Sequence, residues 1–368
     1  MSSFTEAEAA AIRRMFEEHA EPSAMTRARG RIFGIAHNVR ARACVRAIAR
    51  WAPHSWFRVI LQVYVHAWLA HGRLPNLLRP RRYMDKVQWR KLFELEPVFA
   101  ILSDKMAARD FIAACIGAGR QAPLLWAGND PDAIPFDQLM PPYVLKSSHA
   151  SGHTIIVPEG EAVDRDAIRA TARGWLAHCH GTAMCEPAYI NVPRLIMVER
   201  CITATDGTPP VEPRVFVFDG RAEVIQTTVH GADGHLRTAS FHSRDWRQLP
   251  IRLVSRPDPI PPPRPPRLAE MIEIAERLGA DLSHCRVDFF DCGDRLVVGE
   301  VTLYCWSGMT PFHDPAQDLA LGARWTIRRP GWRALRAVAL GRWEIRPPQA
   351  FRVPGEGADP NACIRPAG

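Results

Sequence analysis

The stretch HCRVDFFDCGDRLVVGEVTLYCWSGMT, residues 284 to 310, alternates apolar and polar side chains on either side of a Cys292-Gly293-Asp294-Arg295 interruption. Two half-buried antiparallel strands read this way, with the interruption as their turn. With the turn centred near Asp294, Asp288 falls opposite Glu300 and Arg286 opposite Thr302. Side chains two apart share a face, so all four project to one side. Two carboxylates facing each other across a ladder repel unless a cation lies between them. An oxygen-only pair suits Mg²⁺ that keeps part of its water and takes phosphate oxygens of a nucleotide. A surface hairpin with a solvated polar side shows the same alternation, so spacing alone leaves both readings open.

The chain around this stretch has 368 residues, 47% of them hydrophobic and 23% charged, enough to bury one large core or a few small ones. No window approaches about 18 apolar residues without a charge, and MSSFTEAEAAAIRRMFEEHA lacks the basic-then-apolar order of a signal peptide. A cytoplasmic protein is expected. The nine cysteines show no paired CxxC spacing; Cys179 and Cys185, flanked by His178 and His180, come nearest to a metal cluster, and reduced buried thiols are the better reading.

The kind of basic residue is informative. Of 47 Lys and Arg residues only Lys86, Lys91, Lys105 and Lys146 are lysines, so wherever any positive charge serves, this chain uses arginine. A compact ammonium on a flexible stem is the point-charge phosphate binder. Lys105 opens a helix expected from about Ser103 or Asp104, where the helix dipole already disfavours a merely solvated cation. Lys146 ends the first strand of PYVLKSSHASGHTIIV, residues 142 to 157, which reads strand, polar loop, strand. Such a loop can wrap phosphates with its backbone N–H groups.

Taken together, Arg286-Val287-Asp288, Gly299-Glu300-Val301-Thr302 and Ser307-Gly308-Met309-Thr310 resemble the metal-binding end of ATP-grasp ligases, most closely the TupA-like ATP-grasp family. The resemblance runs from about Arg79 to Trp325. It implies an α+β fold in which two subdomains clamp ATP, with Mg²⁺ on Asp288 and Glu300. Thr302 stands where many such enzymes have an asparagine ligand. Arg286 would meet the transferring phosphoryl group, Lys105 and Lys146 the phosphates, and Gly308 the acyl site. The family's Lys, His, Ser-Gly loop is matched by Lys146, His149, Ser151 and Gly152, with His153 where a further glycine is usual. Glu199 to Ile202, including Cys201, matches the segment whose backbone reads adenine. Glu212 would face the ribose and Arg214 the phosphates or substrate. The implied activity is ATP-dependent amide formation between a carboxylate and an amine through an acyl phosphate. The family name points to a uronic acid and an amino acid of a cell-surface polysaccharide.

Three regions are expected: a basic helical N-terminal region over 1–80, the ATP-grasp domain over 81–325, and an Arg/Trp/Pro-rich tail over 326–368. From Met25 to Arg90 thirteen arginines and Lys86 stand against Asp85 alone. Such a block could lie peripherally on the inner face of an anionic membrane or pack as a solvated helical face; no nucleic-acid module accompanies it. Two other classes stay open. A glycosyltransferase would draw on Asp130-Pro131-Asp132, which with its internal proline reads far better as a turn, and a non-catalytic polyanion or membrane binder would draw on the basic block.

Overall fold

The computed structural model describes residues 56–328 except 161–162, 206–209, 231–235 and 254–262, together with a few positions between 330 and 345. Residues 1–55, which include the first part of the basic block, and most of the tail lie outside the described residues.

Two antiparallel sheets form the frame. The smaller contains β1 (Leu124–Gly128), β2 (Tyr143–Ser147), β3 (Thr154–Val157) and β4 (Ile196–Arg200) in the order β1-β4-β2-β3. Its alternation decides which residues face where. Tyr143, Leu145, Val157, Ile196 and Val198 form one core with Ile168 and Ala172 of α5 (Arg165–Ala177). Period-two geometry therefore sends Val144, Lys146, Ile156, Met197 and Glu199 to the opposite face. Asp164 caps α5 by accepting from Ala167 N at 2.9 Å.

The larger sheet has six strands: β5 (Glu212–Phe218), β6 (Arg221–His230), β7 (Leu236–Ser243), β8 (Gln248–Leu249), β9 (His284–Asp291) and β10 (Leu296–Thr302), ordered β10-β9-β5-β6-β7-β8. Helix α7 (Leu268–Gly279) covers one face. Its Leu268, Met271, Ile272, Ala275 and Leu278, spaced three and four apart on one helical side, are buried, and a Cβ on Gly279 would stand 2.8 Å from Val217. With Val217 and Cys285 turned to α7, Arg214, Asp288, Glu300 and Thr302 face the other way.

That second face meets α2 (Tyr83–Phe93), whose Tyr83 ring packs edge-on against Phe216 and Phe218, with its hydroxyl 2.8 Å from His284 Nε2. Helix α1 (Trp56–His71), built from an apolar run within the basic block, packs Val59 and Val63 against Trp89 and Leu92 of α2. α3 (Pro97–Ser103) leads into α4 (Lys105–Ile116), capped by Asp104, which accepts from Met106 N at 2.9 Å, and ended by Gly117 at φ 90°. Two more α-helices are α6 (His180–Met184) and α8 (Pro315–Ala323).

Candidate nucleotide and metal site

The β9–β10 ladder has the register that the spacing predicts, with Glu300 opposite Asp288 and Thr302 opposite Arg286, though by an indirect route. From the turn the pairs run Leu296 with Asp291, Val297 with Phe290 and Val298 with Phe289, which would bring Gly299 opposite Asp288. A bulge at Gly299 advances the strand by one, and a Cβ there would lie 3.0 Å from the Phe290 ring. Glycine at the bulge thus turns the Glu300 side chain onto the face of Asp288.

On that face the Arg286 guanidinium donates from Nε to Asp288 Oδ1 and from one NH₂ group to Oδ2, both at 2.6 Å. The same NH₂ reaches Thr302 Oγ1 at 3.2 Å, and the hydroxyl donates onward to Glu300 Oε1 at 2.8 Å. Arg214 Nε lies 3.5 Å from Asp288 Oδ2 and an NH₂ of Arg214 lies 3.5 Å from Glu212. Burial pushes the Asp288 carboxyl up, against Arg286 and Arg214. Burial works the same way on Glu300, but Lys105 and Arg286 outweigh it and hold that carboxyl below its ordinary value.

Between the sheets lies a cavity of about 570 Å³. One wall presents Glu212, Arg214, Asp288, Glu300 and Thr302. The other presents Val144, Lys146, Ile156, Met197 and Glu199, and the segment Arg200 to Ile202, with Cys201, closes one end. Lys105 enters from α4, and its ammonium donates to Ala150 O of the loop after β2. Burial lowers the Lys105 pKa. Lys146 Nζ donates to Glu199 Oε2 at 3.0 Å.

Ala150, Ser151, Gly152 and His153 line the cavity, while His149 turns its Nε2 to Trp175 O at 3.0 Å. His153 holds Ser147 Oγ through Nδ1 at 3.0 Å and stacks on the Trp175 ring, 5.2 Å between centroids and 8° between planes. The residue that replaces a glycine is thus a clasp between loop and α5. Gly308 stands elsewhere. It is not part of the cavity lining; its carbonyl accepts from His71 Nε2 and Gln88 Nε2, each at 2.9 Å, and a Cβ would meet the Gln88 amide. Trp306, two residues earlier, lies 5.9 Å from the Arg286 guanidinium.

The scarcity of lysine marked two cavity residues and two buried structural ones. Lys86 donates to Gly322 O at 2.7 Å and to Trp325 O; Lys91 donates to Met184 O and Ser307 O, both at 2.9 Å. Asp130 caps Asp132 N at 2.9 Å, and Asp132 takes two bonds from Arg173, so this DxD is a braced turn outside the cavity lining. Arg109 was not expected. It lines the cavity one helical turn after Lys105 and donates to Glu199 Oε1 at 2.7 Å. Among 43 arginines (47 Lys and Arg less four Lys) nothing in composition distinguishes it, and only its i,i+4 spacing from Lys105 could have.

The acidic pair fits a hydrated divalent cation. Each ionised carboxylate oxygen keeps a second lone pair beyond the bond it accepts, and an all-oxygen set completed by water or phosphate is what Mg²⁺ takes. The Thr302 hydroxyl already donates to Glu300 and accepts from Arg286, which makes it a bridge between the two.

No curated protein matches the sequence. Among solved structures the chain is similar to a D-alanine–D-alanine ligase from Bacillus anthracis, with 16% identity over 66% of this chain and 67% of that one and a TM-score of 0.37. It is similar to the ATP-grasp ligase PsnB complexed with a minimal precursor, with 15% identity, 56% and 54% coverage and a TM-score of 0.33. For the ADP complex of purK, N5-carboxyaminoimidazole ribonucleotide synthetase, the values are 12%, 65% and 56%, and 0.38. The chain spans about half the length of PsnB. The family model for TupA-like ATPgrasp matches residues 85–326, from the first turn of α2 to just past α8. That span takes in both sheets and every residue placed on the cavity walls, and with more than half of its length so matched the chain belongs to the TupA-like ATP-grasp family.

Proposed function

We propose that the chain is an ATP-dependent ligase that joins a carboxylate to an amine through an acyl phosphate. The observation that carries this reading is the pairing of Asp288 and Glu300, braced by Arg286, across a cavity from Lys105 and Lys146. The base would lie against Ile156, Met197 and the 200–202 backbone, the ribose by Glu212, and the phosphates between Lys105, Lys146 and the 150–153 loop. Asp288 and Glu300 would hold Mg²⁺, which when bound neutralises phosphate oxygens.

Catalysis in this reading is positioning and charge neutralisation. Arg286, fixed by its two bonds to Asp288, faces the phosphoryl group as it passes to the carboxylate, releasing ADP. The amine then displaces phosphate to leave the amide. The clasped 147–153 loop excludes water, which would otherwise hydrolyse the acyl phosphate. For substrates we infer a uronic acid and an amino acid of a surface polysaccharide, handled on the cytoplasmic side, with the basic N-terminal region in peripheral contact with the membrane. Family membership supports the first part of this, and the sequence's arginine-rich block the second.

A thermal-shift titration tests the reading. Mg²⁺ with ATP should raise the melting midpoint, because a ligand that binds only the native state stabilises it, while Mg²⁺ with UDP-sugars should not. A shift with UDP-sugars alone would favour a glycosyltransferase. A shift with ATP followed by ADP release only when both a carboxylate and an amine are present would establish the ligase.

A further inference from the structure

On the nucleotide reading above, the base should be recognised at the end of β4, where Glu199 is the one carboxylate. Its two oxygens, however, are both engaged. Oε1 accepts from Arg109 NH1 at 2.7 Å and Oε2 from Lys146 Nζ at 3.0 Å, with the Glu199 side chain 9% exposed. Arg109 is itself anchored: its other NH₂ donates to Ala122 O at 2.8 Å, and its carbonyl accepts from Gln121 at 2.8 Å. Helix α4 packs on α7 and β10 of the large-sheet half, whereas Glu199 and Lys146 stand on the small sheet. The Arg109–Glu199 bond thus carries a position fixed by one half of the cavity to a cation on the other.

We propose that Arg109 is a positioning residue of the nucleotide site, acting through Glu199 to hold Lys146 toward the phosphates, and that the Glu199 side chain does not read the base. The charge balance agrees. Two cations on one carboxylate leave the trio with a net positive charge, and an ammonium that gives one N–H to Glu199 keeps two for phosphate oxygens. A 6-amino group on the base would have to displace a guanidinium or an ammonium from Glu199, and charge-assisted bonds are the stronger ones. Choice between adenine and guanine then falls to the backbone of residues 200–202.

The test is calorimetric binding of MgATP, MgADP, MgGTP and adenosine to the wild type, Arg109→Met, Arg109→Lys, Lys146→Met, the Arg109→Met/Lys146→Met double variant and Glu199→Gln. Arg109→Met should weaken MgATP and MgADP about tenfold and leave adenosine within about twofold, and Arg109→Lys should recover part of the loss. The double variant should bind MgATP no more weakly than Lys146→Met alone. Glu199→Gln, which keeps the shape should Arg109→Met fail to fold, should lose affinity equally for ATP and GTP. Additive losses, or an equal loss of adenosine, would overturn the inference while the nucleotide site stood. A wild type that binds no MgATP would overturn the nucleotide reading and this inference with it.

Discussion

Arg286 and Asp288, two residues apart on β9, are joined by a pair of 2.6 Å hydrogen bonds that hold the guanidinium against the carboxylate on the face they share with Glu300. The pair serves two purposes at once, since Asp288 orients Arg286 while its remaining lone pairs face the place of a cation. Asp288→Asn keeps the volume but removes the charge. We expect the Mg²⁺-dependent part of ATP binding to disappear, ADP formation to fall by at least about a hundredfold, and the melting temperature without ligand to change little. Retained turnover would take Asp288 out of the metal site.

Much of this site is legible in the sequence because period-two alternation is a strict geometric rule. Once residues 284–302 read as a hairpin with its turn centred near Asp294, Arg286, Asp288, Glu300 and Thr302 fall on one face. The bulge at Gly299 was not legible, since an unpaired residue leaves the alternation on each side intact and shows only as a register shift. Lysine scarcity was a signal with two meanings. A cation that must meet phosphate and a cation that must cap buried carbonyls both favour a compact ammonium, so Lys105 and Lys146 stood out together with Lys86 and Lys91. Gly308 illustrates the opposite limit: its place in a motif gave no hint that α2 would occupy its carbonyl.

The two kinds of lysine should separate cleanly under substitution. Lys146 is partly exposed, and Lys146→Met should weaken nucleotide binding while shifting stability by less than about 1 kcal/mol. Lys91 is fully buried, with Glu186 at 4.0 Å, and the Glu186 carboxylate is further held by Ser307 Oγ at 2.5 Å and His180 Nε2 at 3.2 Å. Lys91→Met strands that buried carboxylate and should cost about 3–5 kcal/mol. Urea unfolding of the two variants checks both numbers, and similar midpoints would refute the distinction.

Acid should loosen the clasp of the 147–153 loop. Burial first, then His178, His149, His180 and Lys105, hold the His153 imidazole down to about 4 from 6.5. Burial also lowers His149 and His178. A histidine depressed in the native state binds fewer protons folded than unfolded between those two values. Its stabilising contribution is therefore complete above about 6.5 and lost as pH falls toward about 4. The wild-type melting temperature should drop more steeply from pH 7 to 4.5 than that of His153→Asn. Parallel slopes would show that His153 does not contribute.

Gly322 offers a test of the seam between α8 and the start of α2. A Cβ there would stand 2.2 Å from Arg81 O and 2.6 Å from Tyr83 N, both backbone atoms that cannot rotate away, and the Gly322 carbonyl accepts from the buried Lys86. Alanine favours a helix interior over glycine by about 1 kcal/mol, so propensity alone predicts that Gly322→Ala stabilises. The close approach reverses the sign, because either the helix or the 81–83 backbone must move, at a cost of about 1–3 kcal/mol. The displacement would pass through Tyr83, whose ring touches Phe216 and whose hydroxyl meets His284 at the base of β9. Reduced stability together with weaker MgATP binding is the expected result in denaturant unfolding and calorimetry. A variant as stable as the wild type would show that the seam can open without strain.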